Sequence, residues 1–252
     1  MFDDNSDVTV VITSCGRFDL LQKTLESFVK YNNYPIKKAI ITEDSGLDEV
    51  HSAIPESMRK YCETIINRPK LGQIASIDLA YSKVDTPYIF HCEDDWEFYR
   101  PNFIEDSKLI LEQRPDILQV WLRSYYHDIA IHSGYHYLGE RELVEGIPCY
   151  HVLSTKEGWY GFSFNPGLKR LSDYKQIGQY GQFGGEKALS IEYHRTGMKV
   201  LTLENDAVAH IGFGSHIEDI REKEKKKRRK RKDKQLKAVL LVFGFIAGAL
   251  IF

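Results

Sequence analysis

YIFHCEDDWEF, residues 88–98, decides how this chain is read. Tyr88 to Cys92 form a short β-rich apolar run, which reads as a buried strand. Three consecutive carboxylates, Glu93, Asp94 and Asp95, follow at its carboxyl end, and then Trp96. In open α/β sheets ligands bind at the carboxyl ends of the strands. Adjacent carboxylates repel one another unless a cation or solvent screens them. Mg²⁺ and Mn²⁺ commonly bind through one or two carboxylates plus substrate phosphates. An acidic turn in solvent needs no ion, but an acidic turn closing a buried strand points to one.

Outward from this stretch, strand-like runs alternate with amphipathic ones, the pattern of βαβ units around a mostly parallel sheet. VTVVIT at 8–13 reads as a first strand, and Phe18, Leu21, Leu25 and Phe28 recur as one face of a helix that Pro35 breaks. KKAIITE at 37–43 predicts a second strand, DSG at 44–46 a turn, and a helix with Pro55 near its middle or boundary runs toward Tyr61. ETIIN predicts a third strand, and after the RPKLG loop a helix carries Ile74, Ile77 and Tyr81 on one face. Beyond the acids come a helix near 102–113, a strand ILQVWLR at 117–123, and an aromatic region from Tyr125 to Gly167 expected to form hairpins and loops. A helix from Gly185 to about Thr196 and the extended runs KVLTL and AVAHI complete the domain. The expected fold class is α/β, a Rossmann-like, mostly parallel sheet with helices on both faces.

Charge divides the chain. Residues 221–237 carry twelve Lys/Arg against three acids, a net of +9, so a total of -2 leaves residues 1–220 at -11. An acidic body argues against a nucleic-acid platform, which needs basic residues on the fold itself. Residues 238–252, AVLLVFGFIAGALIF, are uncharged and almost wholly apolar. They are somewhat short of the ~20 residues of a usual span, a deficit that snorkelling lysines or bilayer thinning can cover. The division expected is a catalytic domain at 1–220, a basic juxtamembrane segment at 221–237 and a hydrophobic membrane anchor at 238–252. Basic residues beside an anchor favour the cytoplasmic face. Met1 to Asp7 holds three aspartates and no positive side chain, unlike a signal peptide, so the domain is expected on the cytoplasmic side of a membrane. Cys15, Cys62, Cys92 and Cys149 make no CxxC pair, which fits a reducing compartment.

VTVVITSCGRFDLLQKTLESF, ITEDSG and YIFHCEDDWEF, in this order and spacing, resemble the family 2 glycosyltransferases of the GT-A fold, over residues 8–212. The resemblance implies a nucleotide-sugar donor, UDP-linked, and inverting transfer to an acceptor hydroxyl with Mn²⁺ or Mg²⁺. It implies Glu43 or Asp44 on the nucleotide base, with Thr13 and Arg17 lining the same pocket and Arg68 as the basic residue of the following loop. It makes Asp95 the metal ligand and gives Glu93 and Asp94 the outer-shell and ribose roles. The family more often has Asp where Glu93 stands. Glu186 matches the catalytic acid, although Gly185 replaces the first acid of that pair. His210, past the last run, matches a histidine that some relatives give to the metal or phosphates.

The chemistry agrees with these roles. A carboxylate accepts the N3 hydrogen of uracil, an arginine steadies phosphates, and a carboxylate can take the proton of an attacking hydroxyl. Glu186 in a first helical turn is also favoured by the dipole alone, and imidazole is a competent Mn²⁺ ligand. Trp96, Trp159 and Tyr160 are candidates for stacking on a sugar, while His91, His127, His132 and His136 lack ligand spacing. The acceptor expected is a glycan or a lipid-linked molecule. A nucleotidyltransferase is the rival enzyme, disfavoured because TSCGRFD has one glycine where a Gly-rich loop is usual. The non-enzyme rival is a membrane-tethered nucleotide-sugar-binding module.

Overall fold

A computed structural model describes residues 1–213 of the chain. The chain divides into two units, Met1–Phe213 and Gly214–Phe252. The second, with the expected basic segment and anchor, lies outside the described residues. Among the described residues no helix is long and apolar enough to cross a membrane.

The elements are β1 (Val8–Ser14), α1 (Phe18–Tyr31), β2 (Lys38–Glu43), α2 (Val50–Ala53), α3 (Glu56–Arg59), β3 (Cys62–Ile66), α4 (Gln73–Tyr81), β4 (Tyr88–Glu93) and β5 (Trp96–Phe98). Then come α5 (Phe103–Gln113), β6 (Ile117–Trp121), a π-helical turn (Tyr125–Ile129), α6 (Ala130–His132), β7 (His136–Val144) and β8 (Ile147–Ser154). The remainder is β9 (Gly167–Arg170), α7 (Leu171–Ile177), a 3-10 turn (Tyr180–Gln182), α8 (Glu186–Arg195), β10 (Lys199–Leu203) and β11 (Val208–His210).

The main sheet runs β3-β2-β1-β4-β9. Its first four strands are parallel, and β9 is antiparallel to β4. Alternation along β1 separates two cores: Val8, Val10 and Ile12 face α1 and α5, and Val11 packs with Ile77, Ala80 and Tyr81 of α4. Helices therefore cover both faces. On the first face Leu21, Leu25 and Phe28 of α1 are buried, each burial stabilising by roughly 1.5–3 kcal/mol. Phe28 meets Phe90, Phe98 and Phe103 at ring-centroid separations of 5.6, 5.3 and 5.8 Å.

The structure refines the sequence reading at four places. α1 stops at Tyr31, ahead of Pro35, because Asn32 turns extended. Pro55 splits the expected second helix into α2 and α3, since its ring disfavours a helical residue before it. A second sheet of order β6-β10-β8-β7 takes four of the strands after α5, while β9 joins the main sheet and β11 pairs with β5, so the strands do not form one sheet. The aromatic region holds the β7/β8 hairpin, closed at Glu145 and Gly146, both at positive φ (48° and 83°), and a π-helical turn precedes it.

The order β3-β2-β1-β4 reverses direction between β1 and β4. Ligands bind in the crevice outside the strand ends at such a reversal. The β1–α1 loop and the acids after β4 meet there. A small antiparallel pair, β5 with β11, sets His210 opposite Trp96 and so beside Asp95.

Candidate active site

Glu43 and Asp44, at the end of β2, bind the chain itself. Glu43 accepts hydrogen bonds from the Ser14 hydroxyl (2.7 Å) and from the Gly16 and Ser45 amides (3.0 and 2.7 Å). Gly16 makes this turn at φ 72°, which a glycine adopts without steric cost. Asp44 accepts from the Asn67 side chain (3.0 Å) and the Leu71 and Gly72 amides (2.7 and 2.9 Å). Both carboxylates are buried. Their work here is to hold the three loops after β1, β2 and β3 in register around the crevice. Thr13 is buried in β1, paired in register with Glu93. Arg68 lies apart from the acids, 57% exposed, donating to the Gly46 carbonyl (2.8 Å) and pairing with Asp48 (2.6 Å). Lys70, two residues on, reaches the rim instead, its Nζ 3.4 Å from the Cys15 sulfur.

Helix α1 fixes the acidic turn. The buried Thr24 hydroxyl donates to the Asp94 carbonyl and accepts from the Trp96 amide, both at 3.0 Å. The three carboxylates then diverge. Asp94 is paired with Arg17 and accepts from the Cys15 amide (3.3 Å). Asp95 Oδ2 lies 2.7 Å from Arg17 Nη1 and 3.1 Å from His210 Nε2. Glu93 turns the other way, accepting from Gln73 (2.7 Å) and from the Trp96 indole (3.4 Å). A Cβ on Gly212 would overlap the Asp95 carboxylate, so only glycine allows this close approach.

Ionisation follows this divergence. Burial opposes the charge on Asp95, but His210 and Arg17 outweigh it and hold its carboxyl below the ordinary value. Asp94 is pushed up to about 6 by burial, against the pull of Arg17. Glu93 rises to about 8, through burial and then the charges of Asp95 and Glu186. Glu186, in the first turn of α8, accepts the Phe164 amide (2.8 Å). Burial raises its carboxyl, with Lys169 and Arg123 among the groups pulling it back. Glu93 and Glu186 thus feel one another across the crevice.

A divalent cation fits this site as a two-ligand arrangement. Asp95 Oδ2 and His210 Nε2 stand together, and Mn²⁺ accepts mixed oxygen and imidazole donors. Among the described residues no group of three His, Cys, Asp or Glu converges on one point. The remaining ligands would have to be substrate oxygens and water. Arg17 pairs with both Asp94 and Asp95, where the sequence led us to expect a cation or solvent to screen the acids.

Trp96 is corrected from a sugar platform to a core residue, 2% exposed. Its ring packs against His210 and beneath Arg123, at 4.9 and 5.3 Å. Tyr160 stacks on His194 at 3.9 Å, and Trp159 lies 5.9 Å from Tyr135. Sequence reasoning missed Arg123, Lys70 and Lys169. Lys169, on β9, is 3% exposed and donates to Gln119 Oε1 (3.0 Å) and the Ser163 carbonyl (2.9 Å). Nothing in GLKR distinguishes this lysine from a solvated one. Lys70 had a signal, since it shares its loop with Arg68.

No family model and no curated protein sequence matches the chain. Solved structures do. A mannosyltransferase of Pyrobaculum calidifontis, in complex with GDP-Man and Mn²⁺, superposes with a TM-score of 0.58 at 12% identity, covering 81% of this chain and 57% of that one. TarS 1–349 of S. aureus in complex with UDP gives 0.59 at 12% identity, covering 81% and 60%. GalNAc-T7 with UDP, GalNAc and Mn²⁺ gives 0.58 at 14% identity, covering 82% and 44%. The chain therefore spans about three fifths of the first two and less than half of the third. These likenesses show the fold, which is GT-A.

Proposed function

We propose that this chain is a glycosyltransferase that moves a sugar from a nucleotide-sugar donor, UDP-linked, to an acceptor hydroxyl with inversion. The observation that carries the reading is the convergence at the β1/β4 reversal. Asp95 and His210 stand 3.1 Å apart there, and Glu186 faces the same crevice from α8. The structural neighbours hold GDP-Man, UDP or UDP-GlcNAc, which supports a nucleotide-sugar donor.

The nucleoside lies over the loops that Glu43 and Asp44 tie together, with Thr13 and Arg68 at its edge. Arg17 and Lys70 meet the diphosphate, and Glu93 and Asp94 border the ribose. Asp95 and His210 would hold Mn²⁺ or Mg²⁺, which supplies Lewis-acid stabilisation of the leaving diphosphate. Glu186 takes the acceptor hydroxyl's proton as that oxygen attacks the anomeric carbon. The bond from that carbon to the diphosphate breaks on the opposite face, and the nucleoside diphosphate leaves with the electron pair. Burial of Glu186 strengthens it as a base.

One observation favours a second reading. Arg17 already screens Asp94 and Asp95, so these acids need no metal to relieve their repulsion, and donor turnover without a metal is the second reading. Nucleoside diphosphate release by the full chain, measured over a panel of nucleotide sugars with Mn²⁺ and with excess chelator, decides between them. Release that needs Mn²⁺ supports the first reading, and equal release in chelator overturns it. No release with any donor overturns transfer itself and leaves a binding module.

The sequence of residues 221–252 supports a membrane anchor on the cytoplasmic side and hence a lipid-linked or surface glycan as acceptor. The full chain is expected to stay in the membrane pellet through carbonate washing. Its release would overturn the anchor.

A further inference from the structure

The Ser163–Phe164 peptide group is gripped at both ends. Lys169 Nζ donates to its carbonyl at 2.9 Å, and its amide donates to Glu186 Oε1 at 2.8 Å. Lys169 is buried, and its second bond runs to Gln119 Oε1 at 3.0 Å. An unpaired ammonium in such a place is costly, so its position needs an explanation that two neutral acceptors do not supply. A cation on a peptide carbonyl polarises the group and strengthens its N–H as a donor. That donor is the one holding the carboxylate.

We propose that Lys169 is a positioning residue for Glu186, orienting its carboxylate and favouring its ionised form through the one peptide group both of them hold. The proposal rests on the reading of Glu186 as the base. It explains how a carboxyl largely withdrawn from water is kept ready to accept a proton.

The charges around the pair are few. Glu186 faces Lys169 from β9 and Arg123 from beyond β6, and Glu93 at the end of β4 faces both Glu186 and Lys169. His91 on β4 is buried, and burial together with the nearby Lys169 keeps it neutral. Burial lowers Lys169 to about 7, against the pull of Glu186 and then Glu93. Removing the lysine charge therefore raises the Glu186 midpoint, and removing the Glu186 charge lowers the Lys169 midpoint.

The test uses the full chain with ¹³C-labelled Glu side chains, the Glu186 signal being identified by its loss in Glu186→Gln. In Lys169→Met and Lys169→Gln, the second of which keeps a donor for the Ser163 carbonyl, the Glu186 midpoint is expected to rise by about one pH unit. The acid limb of turnover is expected to rise with it. Should the Lys169 variants fail to fold, ¹³C-labelled lysine in Glu186→Gln reads the same coupling in reverse, as a fall of about one pH unit in the Lys169 midpoint. A Glu186 midpoint unmoved in folded Lys169 variants, or a Lys169 midpoint unmoved in Glu186→Gln, overturns the proposal. A midpoint that moves while the acid limb stays still supports the coupling and overturns Glu186 as the base.

Discussion

Two sides of one strand end treat acidic groups in opposite ways. On the α1 side, Asp94 and Asp95 stand against Arg17 and His210, and Asp95 lies below its ordinary pKa. On the α8 side, Glu93 and Glu186 are both raised, and the buried Lys169 between β6 and the 163–164 peptide is a cation that feels both. On the first side Asp95 keeps its negative charge available to a cation, while Asp94, pushed up to about 6 by burial, is held against Arg17. The second makes carboxyls that hold or accept protons. Four acids within one crevice thus divide into a binding side and a proton-handling side: the bend that Thr24 fixes after Glu93 aims Asp94 and Asp95 at Arg17, and α8 brings Glu186 in from the other side.

Breaking the binding side has the largest expected effect. Asp95→Ala removes a carboxylate that Arg17 and His210 both contact, and turnover is expected to fall about 10⁴-fold, the scale of several kcal/mol of leaving-group stabilisation. Steady-state kinetics at saturating Mn²⁺ reads this, and a loss under tenfold would remove Asp95 from the account. On the other side, Glu186→Gln is expected to lower turnover about 10³-fold while leaving the donor dissociation constant within about twofold.

Arg17→Met sharpens the comparison through stability. It leaves Asp94, 1% exposed, without its cation, and is expected to cost about 3 kcal/mol in chemical denaturation. Adding Asp94→Asn should recover much of that loss, and strict additivity of the two changes would deny the pairing. The smallest effect is on the pH dependence of stability. Glu93 rises from 4.5 to about 8 in the folded chain, so the folded form holds a proton that the unfolded form loses. Its stabilisation is complete below about pH 4.5 and is lost as pH rises through about 8. In chelator, the melting temperature of the native chain should decline more steeply over that window than that of Glu93→Gln. Parallel declines would place the protonated site elsewhere.

Much of the first half of the domain was legible in the sequence. β1 and β4 are continuous apolar runs, α1 shows its face through Leu21, Leu25 and Phe28, and the acids announce a strand end. Such signals are local, carried by neighbours along the chain. What escaped is what distant segments decide. Arg17 meets Asp94 across 77 positions, and Lys169 meets Gln119 across 50. β9 is four residues long with a lysine and an arginine, a composition that reads as exposed until β4 and β6 close over it. Trp96 misled for the same reason, since an aromatic beside acids looks like a platform unless its cover is known. The roles assigned to Glu43 and Asp44 missed the donors that the loops after β1, β2 and β3 supply to them.

Donor binding measured by calorimetry, with and without Mn²⁺, tests the division between the two sides most directly. Asp95→Ala is expected to lose the Mn²⁺-dependent part of the affinity, and Glu186→Gln to bind the donor as the native chain does while failing to turn it over. Equal loss of binding in both variants, or native Mn²⁺ dependence in Asp95→Ala, would contradict the account.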